Sequence, residues 1–270
     1  MTALLIALFI GSIATALAAD KVNVAGSTTV LPLAESEAEV FNEQQSDCQA
    51  SVTGGGSGAG ITAAGEGRAD IAMASREIKD SERAKYKDKG NFQQFFIGYD
   101  GICIAVSKQI YDAGIKSISR EQLKDIYSGK IKNWKELGGP DASIYAISRE
   151  EGSGTRDTFN ELVMGSNTAE TPGVSTNAAG NAEVKTAVTG SDKAIGYLGF
   201  SYAESGDLGV LAYEGVSPDV KNIKGGSYPL ARHLYFYTLG EPTPCAQKFI
   251  DFVLSAAGQK IADENGFIPV

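Results

Sequence analysis

Three times along this chain a short apolar run ends in a cluster of Gly, Ser and Thr, and apolar residues at helical spacing follow at once. The first copy is KVNVA at 21–25 running into Gly26, Ser27, Thr28 and Thr29, with Val30, Leu33, Ala34, Ala38 and Phe41 behind it. The second is residues 49–53 running into GGGSGAG at 54–60, with Ser57 as its hydroxyl. The third is IYAI at 144–147 running into SREEGSGTRD at 148–157, followed by Phe159, Leu162 and Val163. Each reads as a strand, a tight turn and a helix. The start of a helix carries unpaired N–H groups and the positive end of the helix dipole, so it suits an anion. Glycines there let the backbone come close to a ligand. In the third copy Ser153 and Thr155 add hydroxyls, the amide at Gly154 opens the helix, and Arg149 adds a forked cation. One copy alone is a capped helix, which is far commoner than an anion site. Three copies in one chain favour a shared ligand.

Strands alternating with helices predict parallel sheets flanked by helices, with ligands collecting at the carboxyl ends of the strands. A chain of 270 residues is enough for one large domain or two medium α/β lobes. The net charge of −9 argues against a nucleic-acid partner. An anion must therefore be held by local donors, not by the overall field. Residues 1–19 carry no charged side chain and end in small residues. Their apolar run is short for a membrane span, so an export signal cut near Ala19 is expected, with an uncleaved anchor as the alternative. The spacing of Cys48, Cys103 and Cys245 is not that of a metal site. Cys103 lies in an apolar strand and reads as a packing residue. Cys48 and Cys245 can pair in an oxidising compartment, which spacing alone leaves open.

Residues 92–106 form the longest apolar stretch of the mature chain, interrupted by Gly98, Asp100 and Gly101. That pattern suggests a crossover between lobes that carries a functional polar group, Asp100; the plainer reading is a turn residue before a glycine. Ser119 with Gln122 fits a capping box, so a helix is expected to Tyr127. A helix over 182–188, a strand over 194–198, a loop-rich segment over 213–226, a strand over 230–239 returning to the first lobe, and an amphipathic helix over 246–257 complete the reading. Trp134 is expected to pack. Enzyme chemistry finds little support. The chain has one histidine, His233, in an aromatic strand. The Gly-Ser-Gly at 152–154 is not a nucleophile elbow, and the glycine run at 54–60 lacks the lysine of a nucleotide-cradling loop.

Taken together, AGSTTVLPL at 25–33, GGGSG at 54–58, ADIAMASR at 69–76, LKDIYSGKIKNW at 123–134 and REEGSGT at 149–155 give the mature chain a resemblance to the phosphate-binding proteins of ABC phosphate importers. The resemblance implies a two-lobed α/β periplasmic-binding-protein (venus-flytrap) fold of type II with two hinge crossovers. It implies residues 20–105 plus 226–270 as lobe I and residues 106–225 as lobe II. It also implies no catalysis, no cofactor or metal, a monomer, inorganic phosphate as ligand, and the membrane permease subunits of an ABC transporter as partners. Carried onto matching positions, the phosphate contacts are Ser27, Thr28, Thr29, Ser57, Arg149, Ser153, Gly154 and Thr155. Arg76 departs from the pattern, because many members carry there a carboxylate that accepts the proton of hydrogenphosphate. Arg76 is expected to add charge to the site, with Asp100 as the substitute acceptor. A binder of sulfate or molybdate on the same fold is the nearest alternative, and a secreted phosphatase or hydrolase the more distant one.

Overall fold

The computed structural model describes residues 19–204 and 206–270. The expected export signal therefore lies, save for Ala19, outside the described residues. The first lobe begins with β1 (Asp20–Gly26), α1 (Leu31–Gln44), β2 (Cys48–Thr53), α2 (Ser57–Gly65), β3 (Ile71–Ala74) and α3 (Asp80–Lys85). A long strand, β4 (Phe92–Val106), leads into the second lobe. There follow α4 (Lys108–Asp112), β5 (Ser117–Ile118), α5 (Arg120–Tyr127), β6 (Tyr145–Arg149), α6 (Gly154–Phe159), β7 (Thr176–Ala178) and α7 (Asn181–Thr189). Next come β8 (Ala194–Gly199), α8 (Phe200–Ala203), β9 (Gly209–Tyr213) and α9 (Val220–Lys224). The chain then returns through β10 (Ala231–Leu239), α10 (Pro244–Leu254) and α11 (Ala256–Glu264).

In the first lobe the strand order is β2-β1-β3-β10-β4. β1 runs parallel to β2 and β3, while β10 runs antiparallel to β3 and β4. β3 and β8 are buried along their whole length, as strands covered on both faces by helices should be. β4 belongs to both lobes. Residues 92–101 pair with β10; residues 102–106 pair with β8 and β9. The polar and glycine positions at 98–101 were read as an interruption, yet the strand is continuous. Gly101 is there for close approach: a Cβ on it would run into the Ile223 side chain of α9. A second crossover follows α9, where Leu230 O accepts from Ile102 N at 2.9 Å. Each lobe has its own core. Val22, Leu33, Phe41, Met73, Phe236 and Phe249 pack in the first, and Ile104, Tyr127, Trp134, Phe159, Ile195 and Tyr197 in the second.

Several expectations change in detail. The segment at 213–226 holds α9, and the loop before α7 holds β7, which pairs in parallel with β6. The amphipathic run after 244 is two helices. Ser255 takes an extended conformation between them, and its Oγ accepts from Gly258 N at 3.2 Å to cap α11. The capping box at Ser119 and Gln122 is present. Trp134 is buried, with Nε1 donating to the Lys193 carbonyl at 2.9 Å. Cys48 and Cys245 form a disulfide with Cα atoms 5.6 Å apart, 197 positions apart in sequence. It ties the first residue of β2 to the first turn of α10. Cys103 is free and buried, and burial pushes its thiol well above the ordinary range.

One buried carboxyl has no partner among the described residues. Glu37 on α1 is fully buried beside Leu33, Ala34 and Ala38, and neither carboxylate oxygen finds a hydrogen bond among the described residues. Burial raises its pKa well above the ordinary carboxylate value, so the folded protein keeps the proton. The unfolded chain releases that proton once pH passes the ordinary value. Stability is therefore full at low pH and falls as pH rises, until the folded carboxyl also ionises. Glu37→Gln removes this dependence. The variant is expected to gain on wild type between pH 5 and 8 by up to about 1.4 kcal/mol per pH unit while only the folded state holds the proton. Urea denaturation midpoints across that range check it, and equal slopes for the two proteins would refute the assignment.

Candidate anion-binding site

The three strand–turn–helix copies converge where the lobes face each other. In the first, Ser27 and not a threonine organises the turn. Its Oγ accepts from Thr29 N at 3.2 Å and Val30 N at 3.4 Å, so Val30 becomes the helix cap without a side-chain bond. Thr28 and Thr29 are thereby free to reach across. In the second, the helix starts earlier than the apolar spacing suggests, at Ser57, whose buried Oγ accepts from Ser75 N at 3.1 Å. In the third, Ser153 caps α6 by accepting from Arg156 N at 3.3 Å. The amides of Gly154 and Thr155 open that helix and have no partner within it. Gly154 cannot carry a side chain: a Cβ would collide with Ser57 Oγ and Ser75 Oγ of the facing lobe.

The lobes are in direct contact around this point. Gly58 N donates to Gly152 O at 3.0 Å, and Thr29 Oγ1 lies 3.1 Å from Thr155 Oγ1. Arg149 Nη2 donates to Thr28 Oγ1 at 3.0 Å, and Tyr202 Oη donates to the Thr28 carbonyl at 2.9 Å. The Tyr202 hydroxyl, pushed up to about 12 chiefly by burial, stays protonated to do so.

Arg149 ends β6 and is only 1% exposed. Nε and Nη2 bond to Glu150, at 3.0 and 2.8 Å, and Nε also to the Ala178 carbonyl at 3.3 Å. Its Nη1 is buried and has no hydrogen-bond partner among the described residues. A buried guanidinium nitrogen without an acceptor is costly unless a ligand supplies one.

Two groups enter that sequence reasoning missed. Arg232 on β10 sits directly opposite Asp100 on β4 and is fully enclosed. It donates from Nε to Asp100 Oδ2 at 2.7 Å, from Nη1 to Thr155 Oγ1 at 3.0 Å and Ser75 Oγ at 3.3 Å, and from Nη2 to Thr29 Oγ1 at 3.1 Å. Burial lowers its pKa and the nearby Arg149 charge adds to that, while Asp100 opposes both. Asn181, at the start of α7, donates to Thr28 Oγ1 at 3.2 Å and Thr29 Oγ1 at 3.1 Å, and accepts from Gly199 N at 3.0 Å. The sequence carries half a signal for Arg232, a lone arginine inside an apolar strand; the aspartate opposite it is given only by the register. Asn181 left none, because a polar helix start is ordinary.

Two expectations are redirected. Asp100 is an acceptor with only part of its capacity free. Oδ2 takes Arg232, and Oδ1 accepts from Phe200 N at 2.9 Å. Arg76 does not bring unpaired charge. Its Nε donates to Asp157 at 2.8 Å, and Nη1 and Nη2 both donate to Glu82 at 2.8 Å, so carboxylates already balance it. His233 lies apart from the cluster, exposed, with Nδ1 3.1 Å from Tyr235 Oη. The described residues hold no cluster of His, Cys, Asp and Glu suited to a metal.

A mixed α/β chain in two lobes, crossed by β4 and by the segment before β10, with hydroxyls, helix-start amides and two buried arginines between the lobes, defines a bilobed solute-binding protein for an oxyanion. Residues 12–257 match the PBP superfamily domain. The phosphate-binding protein PstS of Bacillus subtilis (strain 168) is 36% identical over 255 residues, 94% of this chain and 82% of its own length. A Clostridium perfringens protein assigned as a phosphate ABC transporter substrate-binding protein, solved with bound phosphate, superposes with a TM-score of 0.85 at 38% identity. That alignment covers 93% of this chain and all of the other. An ABC-type phosphate transport receptor from Vibrio cholerae gives 0.74 at 31% identity, covering 92% of this chain and all of the receptor. The chain belongs to the PstS phosphate-binding protein family of that superfamily.

Proposed function

We propose that this protein captures inorganic phosphate outside the cytoplasm and delivers it to the membrane permease subunits of an ABC importer. It is a binding protein and not an enzyme. The observation that carries the reading is Arg149, buried between the lobes beside a wall of hydroxyls, with Nη1 unpartnered among the described residues. Phosphate supplies the missing acceptor. Ser27, Thr28, Thr29, Ser57 and Ser153 offer hydroxyls, Gly154 and Thr155 offer amides, and Arg149 and Arg232 offer charge-assisted bonds. Asp100 holds Arg232 in register and keeps one lone pair on Oδ1 for the proton of hydrogenphosphate. Arg76 acts at the rim, through its carboxylate partners. Residues 20–105 with 226–270 form one jaw and residues 106–225 the other, and closure follows a hinge motion at the two crossovers. Secretion through the N-terminal segment and a monomeric state complete the proposal. No helix of the described residues is long and apolar enough to cross a membrane.

Isothermal titration with phosphate, sulfate and molybdate tests it. Saturable phosphate binding in the micromolar range or tighter is expected, with sulfate and molybdate weaker. Tight binding of sulfate or molybdate with no response to phosphate would move the protein to another oxyanion. No response to any of them would sink the reading.

A further inference from the structure

The anion-facing groups are not the only ones that join the lobes. Asp157, one turn into α6, accepts from Arg76 Nε at 2.8 Å and lies 2.8 Å from Lys79 Nζ. Both cations belong to the first lobe, just beyond β3; Asp157 belongs to the second. The far side of Arg76 is gripped within its own lobe by Glu82, through two bonds of 2.8 Å, and by the Glu77 carbonyl at 2.9 Å. The side chains of Arg76 and Asp157 are 8% and 13% exposed, so solvent and salt screen this pair far less than a surface one.

We infer that Asp157 is a positioning residue for anion capture, latching the helix that presents Ser153, Gly154 and Thr155 onto Arg76 and Lys79 of the opposite lobe. The inference rests on phosphate being the ligand of the cleft. Opening the lobes separates Asp157 from both cations. It leaves Arg76 with Glu82, since those two share a lobe. The cation is thus held ready in the open form, and Asp157 alone exchanges protein partners for water. A contact made in one of two states biases the equilibrium towards that state. Two cations and two carboxylates also cancel, so the cluster adds little net field at the anion. Arg76 thereby serves closure instead of contact.

The sign of the effect separates this role from plain electrostatics. Removing a carboxylate near a bound anion should by charge alone tighten binding. Removing a latch should loosen it. Stopped-flow release of phosphate from the full protein is therefore compared for wild type, Asp157→Asn and Asp157→Glu. Asp157→Asn is expected to raise the dissociation rate about tenfold, a typical coupling between two conformational states, with the association rate unchanged or slightly raised. Asp157→Glu is expected to recover part of the loss. If Asp157→Asn does not fold by circular dichroism, Asp157→Glu carries the comparison: it keeps the charge and displaces only the carboxylate, so charge alone predicts wild-type release and a latch predicts faster release. A dissociation rate at or below wild type in the folded variants overturns the latch while leaving phosphate binding intact. Wild-type protein that takes up no phosphate overturns the functional reading, and the latch with it.

Discussion

Arg149→Gln is expected to weaken phosphate binding by roughly 100-fold or more, the loss that follows truncation of one partner in a buried charge-assisted contact. Of the groups in the cleft, Arg149 combines full burial with a nitrogen that no acceptor among the described residues serves. A phosphate oxygen at Nη1 removes an unmet demand already present, so its binding energy is not spent on displacing another partner. Arg149→Lys keeps the charge but not the fork, and is expected to recover only part of the affinity. The ligand-free variant should be no less stable than wild type, because an enclosed and incompletely bonded cation has been removed. Calorimetric titration and melting curves with and without phosphate check both halves. A variant that retains wild-type affinity would show that the anion lies elsewhere.

Asp100→Asn acts in the opposite direction on the ligand-free protein. Asp100 and Arg232 face each other across β4 and β10 and are 2% and 7% exposed. Deleting the carboxylate leaves Arg232 enclosed without a counter-charge, which is expected to cost about 3–5 kcal/mol of stability. A bound anion replaces the missing charge. Both phosphate and sulfate should then raise the melting temperature of the variant more than that of wild type. Selectivity should fall, because an amide can donate to a fully deprotonated oxyanion where a carboxylate repels it. Thermal shifts with each anion read the first effect and competitive titration the second. A phosphate-over-sulfate preference that survives in Asp100→Asn would remove Asp100 from proton recognition.

The architecture was legible because it rests on local signals. The strand–turn–helix copies declare their own ends, and the one long apolar strand was correctly placed as a crossover. The site was legible where chemistry and local structure coincide. Ser57 opens one helix and Ser153 caps another, and that local role is what marks both in the sequence. What escaped depends on pairing across the chain. β7 has three residues, two of them polar, and is a strand only because β6 lies beside it. Arg232 gains meaning only once register sets it against Asp100, 132 positions away. The ion pairs of Arg76 were hidden for the same reason. An arginine near an anion site looks like a ligand until its carboxylates are found, and Asp157 lies 81 positions further on.

The disulfide between Cys48 and Cys245 closes a covalent ring with the whole second lobe inside it. The hinged jaw is thus an insertion in a stapled frame, entered and left through β4 and the segment before β10. A cut in any exposed loop of that jaw opens the ring but separates nothing: both fragments stay attached through the cystine. Damage by an extracellular protease would leave the first lobe, with Ser27, Thr29, Ser57 and Arg232, as one connected body. Only reduction after such a cut would release the C-terminal half, and with it the strand that carries Arg232.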